Sequence, residues 1–331
     1  MRAAAALALS GRYAPLGRQA AAGLEAWAGA AGAVLRLEDD RSDPARSAAL
    51  TLELAPEADV LFGPYGSGCG RAVAEAMARR PEVVWNHGAA AVGRTGARMA
   101  DVLGPARSYW RGLPVALAGE GPVAVVRAPG GFGDEVAAGA RDALEKAGTP
   151  PAAELDLDPA DPGAAVAAAR RDGARWIAGG GRMEDDLALA RAALSAGLRV
   201  ALVVMGVASA GRELGPGVAG CLGPVQWDGD VSGWPFPLPA GADYPAAQAA
   251  AAGMLAERAL AIAAGAGADA LWDAARALRT VTPLGPYAVD AEGRQTAHAP
   301  AIVRWEDGPG GPRRRVAWRP DPADPVTDSA P

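Results

Sequence analysis

The chain has 331 residues, half of them hydrophobic, and a formal net charge of −6. Lys146 is its only lysine, and the remaining positive charge is arginine scattered among more numerous acids, a balance that argues against nucleic acid as a partner. No apolar run approaches the roughly 18 to 20 residues of a membrane span. The apolar content suffices for one large core or two smaller ones, and two lobes are expected.

MRAAAALAL at the N-terminus carries one positive charge and a short apolar run, the outline of a minimal signal peptide, but Ala3–Leu9 reads better as a first strand. An export signal removed upstream and a cytoplasmic protein are both compatible with it. From there one unit repeats: an apolar strand, a glycine-containing turn and an alanine-rich amphipathic helix. Ala3–Leu9 leads into Gly17–Ala30, Val34–Leu37 into Ala45–Ala55, and Val60–Phe62 into Arg71–Arg80. Val83–Trp85 opens NHGAAA, Pro122–Arg127 leads into Asp134–Ala147, and Trp176–Ala178 into Glu184–Ala196. This is the pattern of an α/β fold with parallel sheets covered on both faces. Ser209–Leu238 breaks the periodicity with Gly, Pro and Trp, Tyr244–Ala264 returns as a long helix, and Thr280–Trp305 reads as short strands with DAEGR as a hairpin turn between PYAVD and APAIVRW. Arg313–Arg315 reads as a solvated charge run, and the Pro-, Asp- and Ser-rich tail as disordered.

The stretch with the clearest chemistry is VLFGPYGSGCG, residues 60–70. A strand that ends in glycines at a helix N-terminus aims unpaired N–H groups and the positive helix end into the turn, a cradle for an anion. Ser67 adds a hydroxyl. The Lys-Ser/Thr pair of a phosphate loop and the dinucleotide glycine fingerprint are both missing, so a small carboxylate is a better guess than a nucleotide. A plain tight turn with Ser67 as N-cap is the competing reading. Cys69 and Cys221 are expected to be free structural thiols, neither at metal-ligand spacing from His87 or His298, and no metal or other cofactor is expected.

LSGRYAPLGRQAAAGLEAW, GPYGSG before a helix, VVWNHGAAA, VAVVRAPGGFGDEVAAGARDALEKAG, WIAGGGRMEDDLALARAALSAGLRVALVVMG, GVAGCLGPVQW and the closing TVTPLGPYAVDAEGRQTAHAPAIVRWEDG together resemble, in that order, the type I periplasmic binding proteins. The resemblance is to the leucine/isoleucine/valine-binding family, which serves ABC importers, and it covers about 300 residues. It implies two doubly wound parallel-sheet lobes joined by three hinge strands, with the ligand held between them by hinge closure. Lobe one would be residues 1–116 plus 226–282, lobe two 117–225 plus 283–318, followed by a disordered tail, 319–331. The implied partners are a small-molecule ligand and the importer's membrane permease, and the implied location is periplasmic or extracellular.

By that resemblance the ligand-binding positions are Tyr13, Ser67, Gly88, Ala89, Ala90, Phe132, Gly181 and Ala208. Ser67 matches the family's serine. Ala90 falls where Ser or Thr is usual, leaving backbone donors in that loop. Ala208 falls near the family's ammonium-binding acid, Gly181 where tyrosine is common, and Phe132 keeps an aromatic without its hydroxyl. A buried ammonium lacking a carboxylate costs several kcal/mol, so an ordinary α-amino acid is a poor fit. Tyr13, Trp85, Tyr109, Trp110, Phe132, Trp227 and Trp234 lie in or near the same loops, with core packing as the ordinary reading of each tryptophan. Asn86 and His87 replace the usual Ser-Pro, Asn86 as a cap of its own turn or a ligand contact. The expected ligand is a carboxylate of aromatic or apolar character, or an uncharged molecule. A cytoplasmic ligand sensor of the same fold, like the family's amide-sensing relatives, is the alternative. Catalysis is not expected: Asp39, Asp40, Glu184, Asp185 and Asp186 stand in turns or at helix starts, where a helix-dipole or solvated role is ordinary.

Overall fold

The computed structural model describes residues 1–93 and 96–321. In chain order its elements are β1 (Arg2–Leu7), α1 (Ala14–Ala31), β2 (Val34–Asp39), α2 (Pro44–Leu54), β3 (Val60–Phe62), α3 (Ser67–Met77), β4 (Val84–Asn86), β5 (Met99–Asp101), α4 (Leu113–Leu117), β6 (Val123–Arg127), α5 (Gly131–Lys146), β7 (Ala153–Asp156), α6 (Pro162–Arg171), β8 (Trp176–Gly180), α7 (Met183–Ser195), β9 (Arg199–Leu202), α8 (Ser209–Leu214), β10 (Leu222–Val225), α9 (Tyr244–Ala263), α10 (Ala268–Ala277), β11 (Thr280–Thr282), β12 (Gly285–Tyr287), β13 (Ala301–Glu306) and β14 (Arg313–Trp318). The predicted strand, turn and helix units are all present. Three helices begin earlier than expected: α3 at Ser67 and α5 at Gly131, because the glycines read as turn residues already take up helical backbone, and α1 at Ala14, with Pro15 in its first turn.

The chain divides into two compact units, Met1–Pro105 with Gly229–His298, and Ala106–Asp228 with Ala299–Asp321. The polypeptide passes from one to the other three times. Residues 106–116 fall in the second unit rather than with lobe one, because Gly139 of α5 lies directly on the Arg107 carbonyl. Residues 283–298 fall in the first: β12 pairs with β11, and the Gln295 amide donates to the Val102 carbonyl at 3.2 Å. Of the tail expected over 319–331, residues 322–331 lie outside the described residues, and Arg319 forms an ion pair with Asp228.

The first unit carries a five-stranded parallel sheet in the order β2-β1-β3-β4-β5. β1 is alanine-rich and its residues from Ala3 onward are buried, as suits an inner strand covered on both faces. On one face Leu54, Leu61, Val73, Met77, Val84 and Met99 form a core under α2 and α3. On the other, α1 and α9 pack so closely that a Cβ at Gly23 would lie 2.1 Å from the Ala246 carbonyl oxygen and one at Gly253 would lie 2.2 Å from the Trp27 ring. Trp27 in turn meets Phe62 edge to face at 5.4 Å. Aspartates begin three helices: Asp43 and Asp161, each followed by proline, accept from Arg46 and Ala164 N–H at the starts of α2 and α6, and Asp243 precedes α9, with Pro245 in its first turn.

The second unit carries a seven-stranded sheet, β14-β13-β10-β9-β8-β6-β7, with β7 through β10 parallel and β13 and β14 antiparallel to their neighbours. Two expectations fail here. APAIVRW pairs with β10 and with β14 rather than with PYAVD, and Arg313–Arg315 belongs to an edge strand rather than a charge run. Along β14 exposed Arg313, Arg315 and Ala317 alternate with half-buried Arg314, Val316 and Trp318, and Trp318 covers Gly112. Charged side chains on an edge strand hinder pairing with another chain. Cys69 and Cys221 are buried free thiols, each pushed up to about 11 by burial. Among the described residues no single helix is long and apolar enough to cross a membrane.

Candidate functional site

In each parallel sheet the loops after the strands share one edge, the usual place for a ligand in an open α/β sheet. The predicted positions of each unit gather at that edge of its own sheet. In the first unit, the loop after β1 lies against the loop after β2: Asp39 accepts from the N–H groups of Leu9 and Ser10 and from the Ser10 hydroxyl, and Ser42 Oγ donates to the Ser10 carbonyl while accepting from Tyr13 N–H. These bonds to the charged form hold the Asp39 carboxyl below its ordinary range despite partial burial. Arg41 and Ser42 both sit at positive φ, 58° and 59°, a conformation that non-glycine residues adopt at a cost of order 1–3 kcal/mol each and that clusters at functional sites.

The loop after β3 follows. Gly66 has φ +99°, and a side chain there would meet the Tyr13 ring at 2.9 Å. Tyr65 stacks at a tilt on Tyr13, 6.2 Å between centroids, and shares a 2.6 Å hydrogen bond with the Tyr244 hydroxyl. Gly66 N–H donates to the Gly88 carbonyl, tying this loop to the one after β4. α3 then begins at Ser67, whose Oγ accepts from Ala91 N–H at 3.2 Å. Ser67 is thus no N-cap: its hydroxyl reaches across to the second loop.

Asn86 governs the loop after β4. Its amide donates to the Ala89 carbonyl and to Asp101 Oδ1, both at 2.8 Å, and its oxygen accepts from the N–H groups of Gly88 and Ala89. Two of the backbone donors expected for a ligand carboxylate, at Gly88 and Ala89, are therefore spent within the loop; the capping reading of Asn86 holds. Asn86→Ala should cost about 1–3 kcal/mol, because it leaves buried backbone groups without partners. Urea unfolding checks this, and an unchanged midpoint would show the loop holding without its cap. His87 is fully buried with neither ring nitrogen hydrogen-bonded, and burial lowers its pKa to about 4, so the imidazole is neutral.

In the second unit, Phe132 lies in the first turn of α5 and meets Tyr109 edge to face at 5.9 Å. Gly181 follows β8, and a Cβ there would stand 2.5 Å from the Ala128 Cβ. That contact is why a tyrosine has no room at this position. Ala208 stands ahead of α8. Asp186, expected at a solvated helix start, is instead fully buried: it accepts from Val204 N–H at 3.1 Å and from Gly181 N–H, tying together the loops after β8 and β9. Burial, with Asp185 and Glu184 adding repulsion, raises its pKa to about 7. Of the aromatics expected near the ligand, Trp85, Trp110 and Trp227 are core residues, Trp110 donating to the Gly179 carbonyl, and Tyr109 is buried as well. Trp234 packs on Phe236, while Tyr13 and Phe132 stay half-buried. Among the described residues no group of His, Cys, Asp and Glu is placed to hold a metal.

A family profile described as "Periplasmic binding protein" matches residues 1–310. The chain belongs to this family. It is a type I periplasmic binding protein, of the solute-binding family that works with ABC-transporter permeases and whose members are ligand carriers. A solute-binding protein of an R. palustris ABC transporter, solved with benzoate, is 20% identical with TM-score 0.75, covering 99% of this chain and 98% of its own. One from Rhodopseudomonas palustris HaA2, solved with p-hydroxybenzoic acid, is 18% identical with TM-score 0.77, covering 96% and 98%. The leucine-binding protein LivK of Thermotoga maritima MSB8 is 14% identical with TM-score 0.79, again covering 96% and 98%. At these identities the likeness is one of fold. No curated protein sequence gives a significant match.

Within this periplasmic binding protein, sequence reasoning missed the positions that organise the loops: Asp39 as the clasp between the first two, and Asp186 as that of the second unit. In the sequence both stand only as acids in runs. A signal for Asp39 was its place at the end of an apolar strand followed by DRSD, a turn rich in backbone-bonding side chains.

Proposed function

We propose that this periplasmic binding protein captures a small carboxylic acid with an aromatic or apolar body and delivers it to the permease of an ABC importer. What supports the reading is, in the first unit, Ser67 at the positive end of α3 and, in the second, the lack of a free acid at the positions where an ammonium's partners are expected: Ala208 stands ahead of α8, Gly181 is walled by Ala128, and the Asp186 carboxyl is spent on backbone N–H groups. Tyr13, Ser67 and Ala90 from the first unit and Phe132, Gly181 and Ala208 from the second are proposed as ligand contacts, with Gly88 and Ala89 shaping the loop rather than donating. The R. palustris relatives that hold benzoate and p-hydroxybenzoic acid support an aromatic acid over the leucine of the Thermotoga protein's name. Capture by hinge closure, the mechanism expected of the family, predicts ligand-dependent compaction in solution scattering. Export to the periplasm goes with this reading, and fractionation of the native host tests it.

Thermal unfolding against benzoate, 4-hydroxybenzoate, benzamide and leucine is the test of the ligand class. A ligand that binds only the native state adds about 2.7 kcal/mol at a hundred times its dissociation constant. The two acids should raise the midpoint while leucine and benzamide leave it in place; a shift with leucine alone would overturn the ligand class.

A further inference from the structure

We infer that Arg12 is the charge that selects an anionic ligand. The inference rests on the proposed carboxylate reading and names the residue that reading leaves open. Arg12 stands between two pinned neighbours. Gly11, at φ +78°, lies so close to the Arg41 carbonyl that a Cβ would come within 2.3 Å of its oxygen. Tyr13 is held by Ser42 Oγ and packs against Gly66, the residue before Ser67. The backbone of Arg12 is therefore set at the ligand edge of the sheet, while its side chain is exposed.

Three acids, Asp39, Asp40 and Asp43, lie in the adjoining loop, and none pairs with it. Asp39 is taken by Leu9, Ser10 and Arg41 N–H, Asp40 by Ser42 N–H and the Ser47 hydroxyl, and Asp43 by Arg46 N–H. Among the described residues the Arg12 guanidinium makes no ion pair or hydrogen bond, a state it shares with Arg41 in the adjoining loop, whereas Arg36, Arg80, Arg98, Arg107 and Arg127 are paired. The Tyr13 ring beside it packs on Gly66, so Arg12 stands next to the turn that holds Ser67. An arginine whose backbone is clamped at the ligand edge and whose neighbouring acids are held by other hydrogen-bond donors supplies the planar two-donor fork that matches a carboxylate.

The test is titration calorimetry with benzoate and 4-hydroxybenzoate on wild type, Arg12→Gln, Arg12→Lys and, as a remote charge control, Arg191→Gln. Arg12→Gln should weaken both acids about 10- to 100-fold and flatten the salt dependence of binding. Arg12→Lys should recover part of the loss, and Arg191→Gln should bind as wild type does. Unchanged thermal midpoints confirm folding. Wild-type affinity in Arg12→Gln overturns the assignment and leaves the ligand class standing, whereas a wild-type protein that binds no carboxylate overturns both.

Discussion

Asp186→Asn should make the protein lose stability on acidification below pH 6.5 more steeply than wild type, and His87→Gln should do the reverse. His87 has a folded pKa of about 4 against an ordinary 6.5. Between those values the unfolded chain binds a proton that the native state refuses, so stability falls as pH drops, by about 3 kcal/mol in all. Asp186 has a folded pKa of about 7 against 3.8. Its protonated form is the one the buried site prefers, so its contribution is fully present below 3.8 and is lost as pH rises toward and through 7, up to about 4 kcal/mol. From about pH 4 to 6.5 the two slopes are equal and opposite, and wild type hides both. Each single variant removes one slope and exposes the other, and unfolding midpoints across pH 4 to 8 read the difference from wild type directly. Parallel curves for wild type and Asp186→Asn would mean that the carboxyl titrates normally and is not sealed from water.

Gly23→Leu should destabilise by about 3 kcal/mol, at the upper end for an overpacked core. The new side chain would enter where the Ala246 carbonyl oxygen lies 2.1 Å from the Cβ position, and the obstacle is backbone rather than a rotatable group. α9 has no room to retreat locally, since its own Gly253 is seated on Trp27 and Trp27 on Phe62. Gly29→Ala on the same helix is the matched control. Nothing lies within 4 Å of its Cβ position, so it should gain about 0.5–1 kcal/mol from helix propensity alone. Chemical denaturation of the pair separates close packing from propensity, and similar midpoints for both variants would contradict the tight α1–α9 seam.

The alternation of strand, glycine turn and alanine-rich helix was readable because most units announce themselves locally: RAAAAL stands as the first strand of a repeating strand, turn and helix pattern, and Asp-Pro pairs mark helix starts. What escaped was whatever depends on neighbours distant in sequence. RRRVAW looked like charge because three arginines dominate it, yet its later half alternates like any strand, and only β13 beside it decides the matter. PYAVD pairs with β11 rather than β13 for the same reason: sequence adjacency does not choose between them. In the ligand loops, residue types were legible and their commitments were not. The oxygen of Asn86 spends the N–H groups of Gly88 and Ala89, and Asp186 is buried by the loop after β9, neither of which a linear pattern encodes.

The three passages of the chain between units bear on how the molecule is born. α1 carries Ala20, Leu24 and Trp27 into a seam that only α9 closes, some two hundred residues later. At about 5–20 residues per second of synthesis, that stripe waits on the order of 10 to 40 s for its cover. The second sheet likewise lacks β13 and β14 until late in synthesis, so β10 presents an open, apolar edge from Val225 until β13 begins at Ala301. The first unit is complete in sequence only at His298, and the second only after it, with β13 and β14. A pulse-proteolysis time course of synthesis should find protection of both units arriving late, after α9 for the first and after β13 for the second.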